Sequence, residues 1–343
     1  DAANLVHSPS ITHVGGEGFL DFEVTAADIQ SGNAVVAVTK SDGAGSKTVL
    51  WSWHLWFAPK DALDKIPVTN HQGKVYNFTK EALGWKLTQW SGSTYSSART
   101  VKVKVEQTVA NNGTKQDAVI NITQNPGNVK KGAPTFYQFG RKDAFPGVDA
   151  SDLAANSHFT QNAGDNMSIT NNIQNPDKFY IYGASMWTNY GYYNLWSADN
   201  TVTGSMNVGN DNPVVKTVYD PCPVGFKMPA NNAFTGFTTT GLNSTSQSEL
   251  NVDGTDDWQQ WTNNFGHNFW TNSSKTATIN FPASGYRYYD DGSLNDVGNS
   301  GYFWSAVPLN SNYGCYLVFH SGSVAPLDSY DRTYGFAARP VSE

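Results

Sequence analysis

Residues Thr100 to Val109 alternate cleanly, with Val101, Val103 and Val105 on one side and Lys102, Lys104 and Glu106 on the other. A period of two marks an antiparallel strand buried on one face, and a helix cannot use it. Ala118 to Gln124 repeats the idea, with Val119, Asn121 and Thr123 opposing Ile120 and Ile122. Ala34 to Val38 is a short apolar run ended by Ser41-Asp-Gly-Ala-Gly45, whose Asp-Gly pair is a turn signal. Thr48 to Phe57 follows and carries Trp51, Trp53 and Trp56. Several such strands with turn residues between them predict a small all-β sandwich over residues 1–125.

Asn125-Pro-Gly-Asn-Val-Lys-Lys-Gly-Ala-Pro134 has two prolines, two glycines and no periodicity, which places a linker at 126–134. A chain of 343 residues is long for one core, so a second domain over 135–343 is expected. That half is irregular, rich in Asn-Gly, Asp-Gly and Gly-Ser turns. Short helices are predicted at Ala230 to Phe237, after Pro229, and at Ala150 to Asn156. The expected class is α+β, strand- and loop-rich.

Charged residues are only 15% of the chain and aromatic residues 13%, a mixture that suits strands and turns. A net charge of -7 supplies no basic stripe for phosphates, which argues against nucleic acid. No apolar run approaches membrane-spanning length. The chain starts at Asp1 without a Met, so an export or lipid-anchoring segment removed by processing is expected. Cys222 and Cys315 are too few for a disulfide scaffold and badly spaced for zinc; one bridge and two buried thiols are both open.

Five segments carry a resemblance: Tyr137-Gln-Phe-Gly-Arg-Lys-Asp143, Asp220-Pro-Cys-Pro-Val-Gly-Phe-Lys-Met-Pro229, Phe281-Pro-Ala-Ser-Gly-Tyr-Arg287, Gly301-Tyr-Phe-Trp-Ser305 and Tyr334-Gly-Phe-Ala-Ala-Arg339. In this order, over roughly 200 residues, they resemble the landmarks of the Fibrobacter succinogenes major paralogous domain of Bacteroides-type gut bacteria. The resemblance implies a C-type-lectin-like fold, used in this group by surface and pilus-tip adhesins and by variable proteins of diversity-generating retroelements. Gly32-Asn-Ala-Val-Val-Ala-Val38 and Leu50-Trp-Ser-Trp-His-Leu-Trp56 look like the module that often precedes it in exported, fimbrillin-like Bacteroides proteins. Many relatives end in Cys where this chain has Pro340, so Cys222 must stay free or find Cys315.

Between the framework-like ends of the tail lie the candidate ligand contacts: Asn310, Asn312, Tyr313, Tyr316, Val318, His320, Ser323, Asp328, Ser329, Tyr330, Asp331 and Tyr334. Tyr gives rigid contact area with one polar handle, while Ser and Asn adapt their hydrogen bonds. On a strand, Leu317 and Phe319 point inward, and Tyr316, Val318 and His320 outward. Residues 306–333 contain no Lys, Glu, Gln, Met or Trp, as codon randomisation of the retroelement kind requires, although the framework stretch 276–303 lacks them too.

Trp51, Trp53 and Trp56 with His54 are a second candidate, a sugar-stacking platform whose bland alternative is core packing. Asp253, Asp256 and Asp257 could hold a structural calcium but lack the bidentate Glu of an EF-hand. Catalytic signals are thin: seven scattered His, only six Glu, no nucleophile elbow and no phosphate loop. No cofactor is implied. The expected function is therefore a cell-surface ligand-binding protein or adhesin at the outer membrane or a pilus, not an enzyme. Its partners would be an extracellular protein or glycan, with pilus subunits as further candidates. A polysaccharide-binding lipoprotein and a hydrolase whose site forms only in the fold are the alternatives.

Overall fold

A computed structural model describes residues 5–29, 31–86, 99–124, 132–147, 159–162, 168–181, 194–254, 261 and 265–343. The described chain is mostly strand with few helices, as the alternating patterns require. Residues 1–86 and 133–343 form one compact unit and residues 87–132 another.

In the first unit, β1 (His7–Val14) pairs β2 (Glu17–Glu23), and β3 (Gly32–Ser41) pairs β4 (Lys47–Phe57) across the expected Asp-Gly turn. Strands β5 (Lys65–Thr69) and β6 (Val75–Thr79) form a further hairpin. The second unit holds β7 (Arg99–Glu106) and β8 (Asp117–Gln124), with Val101 opposite Ile122 and Val103 opposite Ile120. These two strands are where the alternation put them. The pairs β1–β2, β3–β4 and β7–β8 are separate two-stranded hairpins, and Ile11, Phe19, Val101 and Ile122 are exposed rather than packed between sheets.

The first unit continues with β9 (Phe136–Gln138), β10 (Thr160–Asn162), helix α1 (Ile169–Gln174), β11 (Lys178–Tyr180) and β12 (Phe226–Lys227). Then come β13 (Gly266–Trp270), β14 (Thr278–Pro282), β15 (Tyr286–Arg287), β16 (Leu294–Asn295), β17 (Ser300–Pro308), β18 (Tyr313–His320), β19 (Ser323–Asp331), β20 (Gly335–Ala337) and β21 (Val341–Ser342). The main sheet runs β16-β15-β20-β17-β18-β19, with β9 added to β20. Late in the chain, β20 thus returns to the inside of the sheet, between β15 and β17.

The linker expected at 126–134 falls mainly outside the described residues, and compactness does not follow a boundary there. β6 pairs β21 through Phe78 opposite Val341, so residues 65–79 join the same sheet as the C-terminus. Phe78 packs on Phe234 at 5.8 Å and on Phe281 at 5.8 Å between ring centroids. Arg339 clamps this junction: buried, it donates to the carbonyls of Thr79, Lys80 and Asn280 and lies 4.6 Å over the Phe281 ring. Burial holds its pKa down at about 10, against the pull of Glu81.

The helix expected at Ala230–Phe237 is a buried 3₁₀ helix, Asn231–Phe237, whose Phe234 and Phe237 enter the core. The tighter winding stacks i and i+3 in one row, which suits this Phe pair. The helix expected at 150–156 lies outside the described residues. Cys222 and Cys315 are both buried free thiols.

Candidate ligand-binding surface

Each landmark segment serves the frame. Gly285 adopts φ +71°, and a Cβ there would stand 2.0 Å from the Asn295 carbonyl, so only glycine fits. Asp220 accepts the amides of Cys222 at 2.8 Å and Met228 at 2.9 Å and the Lys216 ammonium at 3.0 Å, fixing the proline-rich turn. Buried Arg141 donates to Asn172, Gln138 and the carbonyls of Lys178 and Asn175. Ser52 donates to Asp143 at 2.7 Å, binding β4 to the same segment.

The tail strands β18 and β19 pair antiparallel with Tyr316 opposite Asp328 and Tyr313 opposite Asp331. Tyr313 and Tyr330 are 36% and 46% exposed, with ring centroids 6.1 Å apart. Asn312 and His320 are exposed; Asn310, Val318, Ser323, Asp328 and Asp331 are half-buried. Asn310 accepts the amides of Asn312 at 2.8 Å and Tyr313 at 3.0 Å, so it shapes the β17–β18 turn. His320 and Ser323 share a hydrogen bond of 2.7 Å at the other turn.

Three of the expected contacts are corrected. Tyr316 is only 5% exposed, Ser329 6% and Tyr334 8%. Leu317 and Phe319 point inward as alternation demands, but the opposite face is covered in part as well, by Trp304 and Phe336 against Tyr316. Alternation tells the two faces apart and cannot tell that both are packed.

Tyr334 and Tyr316 are instead the base of a larger tyrosine cluster. Tyr330 meets Tyr334 edge-on at 5.1 Å, and Tyr334 meets Tyr289 at 4.9 Å and Tyr286 at 5.5 Å. Tyr288 lies 4.6 Å from Tyr289, Tyr302 4.8 Å from Tyr286, and Phe336 lies beneath Tyr302 and Tyr334. Tyr286, Tyr288, Tyr289 and Tyr302 are half-buried. None of the four was among the expected contacts. The signal was the crowding of Tyr286-Arg-Tyr-Tyr289, which read as framework because it overlaps a landmark.

The face carries two half-buried carboxylates, Asp328 and Asp331. Burial raises the pKa of Asp328, opposed by the Ser329 amide and the Tyr316 hydroxyl. Burial also raises Asp331. A hydrogen bond with Tyr288 pushes the Tyr289 phenol up to about 12, and burial raises Tyr286, Tyr302 and Tyr334. The hydroxyls of Tyr286, Tyr289, Tyr302 and Tyr334 therefore stay protonated at neutral pH, able to donate and accept.

The rival sites are poorer. Trp51 is taken up by Tyr219 at 5.8 Å and by the Lys142 ammonium at 4.8 Å over its ring, and Trp56 donates to the Trp85 carbonyl. Only Trp53, 41% exposed, remains available of the three. His54 bonds to Tyr137 and Asn33, each at 2.8 Å. Among the described residues no group of His, Cys, Asp or Glu is placed to hold a metal ion; Asp256 and Asp257 lie outside them. A cleft of about 260 Å³ beside β6, β12 and β21 includes Lys74 and Lys227, which donate to the Asp211 and Val214 carbonyls.

Residues 242–341 match the family model of a domain of unknown function, DUF8237. This stretch spans β13 to β20 and every tyrosine of the cluster. No curated protein and no solved structure matches the chain.

Proposed function

We propose that this chain is an exported cell-surface ligand-binding protein or adhesin, not an enzyme, and that it binds through the tyrosine face of its C-terminal sheet. The observation that carries the reading is the pair Tyr313 and Tyr330, exposed on paired strands and backed by a wall of further tyrosines. Rigid, partly exposed tyrosines concentrate binding energy, because little side-chain freedom is lost on contact. The sheet order supports a C-type-lectin-like domain, since β20 re-enters the sheet late in the chain. In this reading the N-terminal hairpins belong to a fimbrillin-like β-sandwich support, anchored at the outer membrane or built into a pilus. The β18–β19 strands would be the segment that a retroelement diversifies.

The test is a paired screen on glycan and peptide arrays with wild type and a Tyr313→Ala/Tyr330→Ala protein of equal thermal stability. Array ligands held by wild type and lost by the variant support the reading. Ligands held equally by both proteins place the site elsewhere.

A further inference from the structure

The cleft beside β6, β12 and β21 lies on a second sheet, ordered β12-β21-β6-β5, and is too small to seat a partner's surface. Its volume of about 260 Å³ falls just below the roughly 300–1,000 Å³ that drug-sized ligands fill. Residues 211–214 border it, and side chains of the sheet and its turn tie down both ends of that segment. Tyr76 donates its hydroxyl to the Asp211 carboxylate at 2.8 Å, and Lys74 donates to the Asp211 carbonyl at 3.4 Å. Lys227, opposite Val341 across the β12–β21 pair, donates to the Val214 carbonyl at 2.9 Å. Val214, Met228, Ala230 and Val341 also line the cleft, and all four are buried.

An ammonium carries three N–H donors, and each lysine spends one on a neutral carbonyl. Lys74 is held 4.9 Å over the Tyr76 ring, which fixes it at the cleft without neutralising it. Glu343 lines the cleft too, yet among the described residues neither Lys74 nor Lys227 forms an ion pair. Two cations with donors to spare therefore share a small cleft with an apolar lining. A charge-assisted hydrogen bond rewards an anion here, and the lining rewards an apolar body behind it. A phosphate, with up to two charges, would have to shed more water against that lining than a singly charged carboxylate.

Independently of the tyrosine face, we propose that this cleft binds a small organic carboxylate, with Lys74 and Lys227 holding the charge and Met228 and Val341 the apolar body.

The probe is benzoate, with neutral benzamide, acetate and phenyl phosphate as comparisons, followed by NMR of methyl-labelled methionines in the whole chain. Benzoate shifts the Met228 methyl and leaves Met206, which does not line the cleft, unmoved. Acetate, lacking the ring, binds more weakly. Benzoate binding weakens about fivefold in Lys74→Gln/Lys227→Gln. It also weakens between about 0.01 M and 1 M salt, over which screening shortens from about 30 Å to about 3 Å. The salt series needs only wild type, so it decides the matter even if the double variant fails to fold. Equal shifts with benzamide, salt-independent binding, or no Met228 shift at about 10 mM benzoate overturns the proposal. Phenyl phosphate binding more tightly than benzoate, or acetate binding equally, overturns the choice of ligand class.

Discussion

Tyr316 on β18 stands directly opposite Asp328 on β19, its partner across the ladder. One residue is buried and the other half-buried, so the pairing joins the base of the tyrosine wall to its rim. Burial raises the Asp328 pKa, which means that folding favours the neutral acid. The stability this gives is complete below the ordinary carboxylate range and is lost as pH rises through the raised value. Asp328→Asn should therefore melt higher than wild type at neutral pH, and the difference should vanish below about pH 4. Melting curves across that range check it; a variant less stable at neutral pH would mean that the ionised form is the favoured one.

His54 carries the opposite sign. Burial lowers its pKa to about 4, with Asp143 opposing, so folding favours neutral imidazole. That stability is present above about pH 6.5 and is lost as pH falls toward 4. Wild type should lose on the order of 2 kcal/mol over this range relative to His54→Gln. Urea denaturation at several pH values measures the difference, and parallel pH profiles would contradict it.

Arg339→Met should be destabilising by about 3–5 kcal/mol, because three carbonyls lose their buried donor. Phe226→Ala should cost about 3–5 kcal/mol as well, since its ring belongs to the core. Chemical denaturation measures both. Either variant at wild-type stability would remove its residue from the frame.

Much of the local structure was legible. The alternation at Val101–Val105, the turn at Asp42-Gly43 and the apolar face of Ala233, Phe234 and Phe237 each act over a few residues, where pattern reports backbone directly. The pairing of Phe78 with Val341 was not legible, because nothing in residues 75–79 names a partner more than 250 positions away. The site was legible by half for the same reason. The run 313–331 gave away Tyr313 and Tyr330, whereas Tyr289 and Tyr302 join them only through the order in which β15, β20 and β17 lie side by side.

Exposure divides the tyrosines into two classes with different expected costs. Tyr316→Ala and Tyr334→Ala should lower stability by about 3 kcal/mol or more, as truncations of buried rings do. Tyr313→Ala and Tyr330→Ala should each change it by about 0.5 kcal/mol. Thermal melts of the four single variants separate the classes, and equal losses in all four would contradict the division.

The central claim, that ligand meets the tyrosine face, is tested most directly by setting Tyr313→Ala/Tyr330→Ala against Trp53→Ala on one array ligand held by wild type. Both changes are at exposed positions, so folding should be preserved in each. The tyrosine variant should lose binding by roughly tenfold or more while Trp53→Ala binds as wild type. Full binding by the tyrosine variant, with loss in Trp53→Ala, would move the site to β4 and contradict the account.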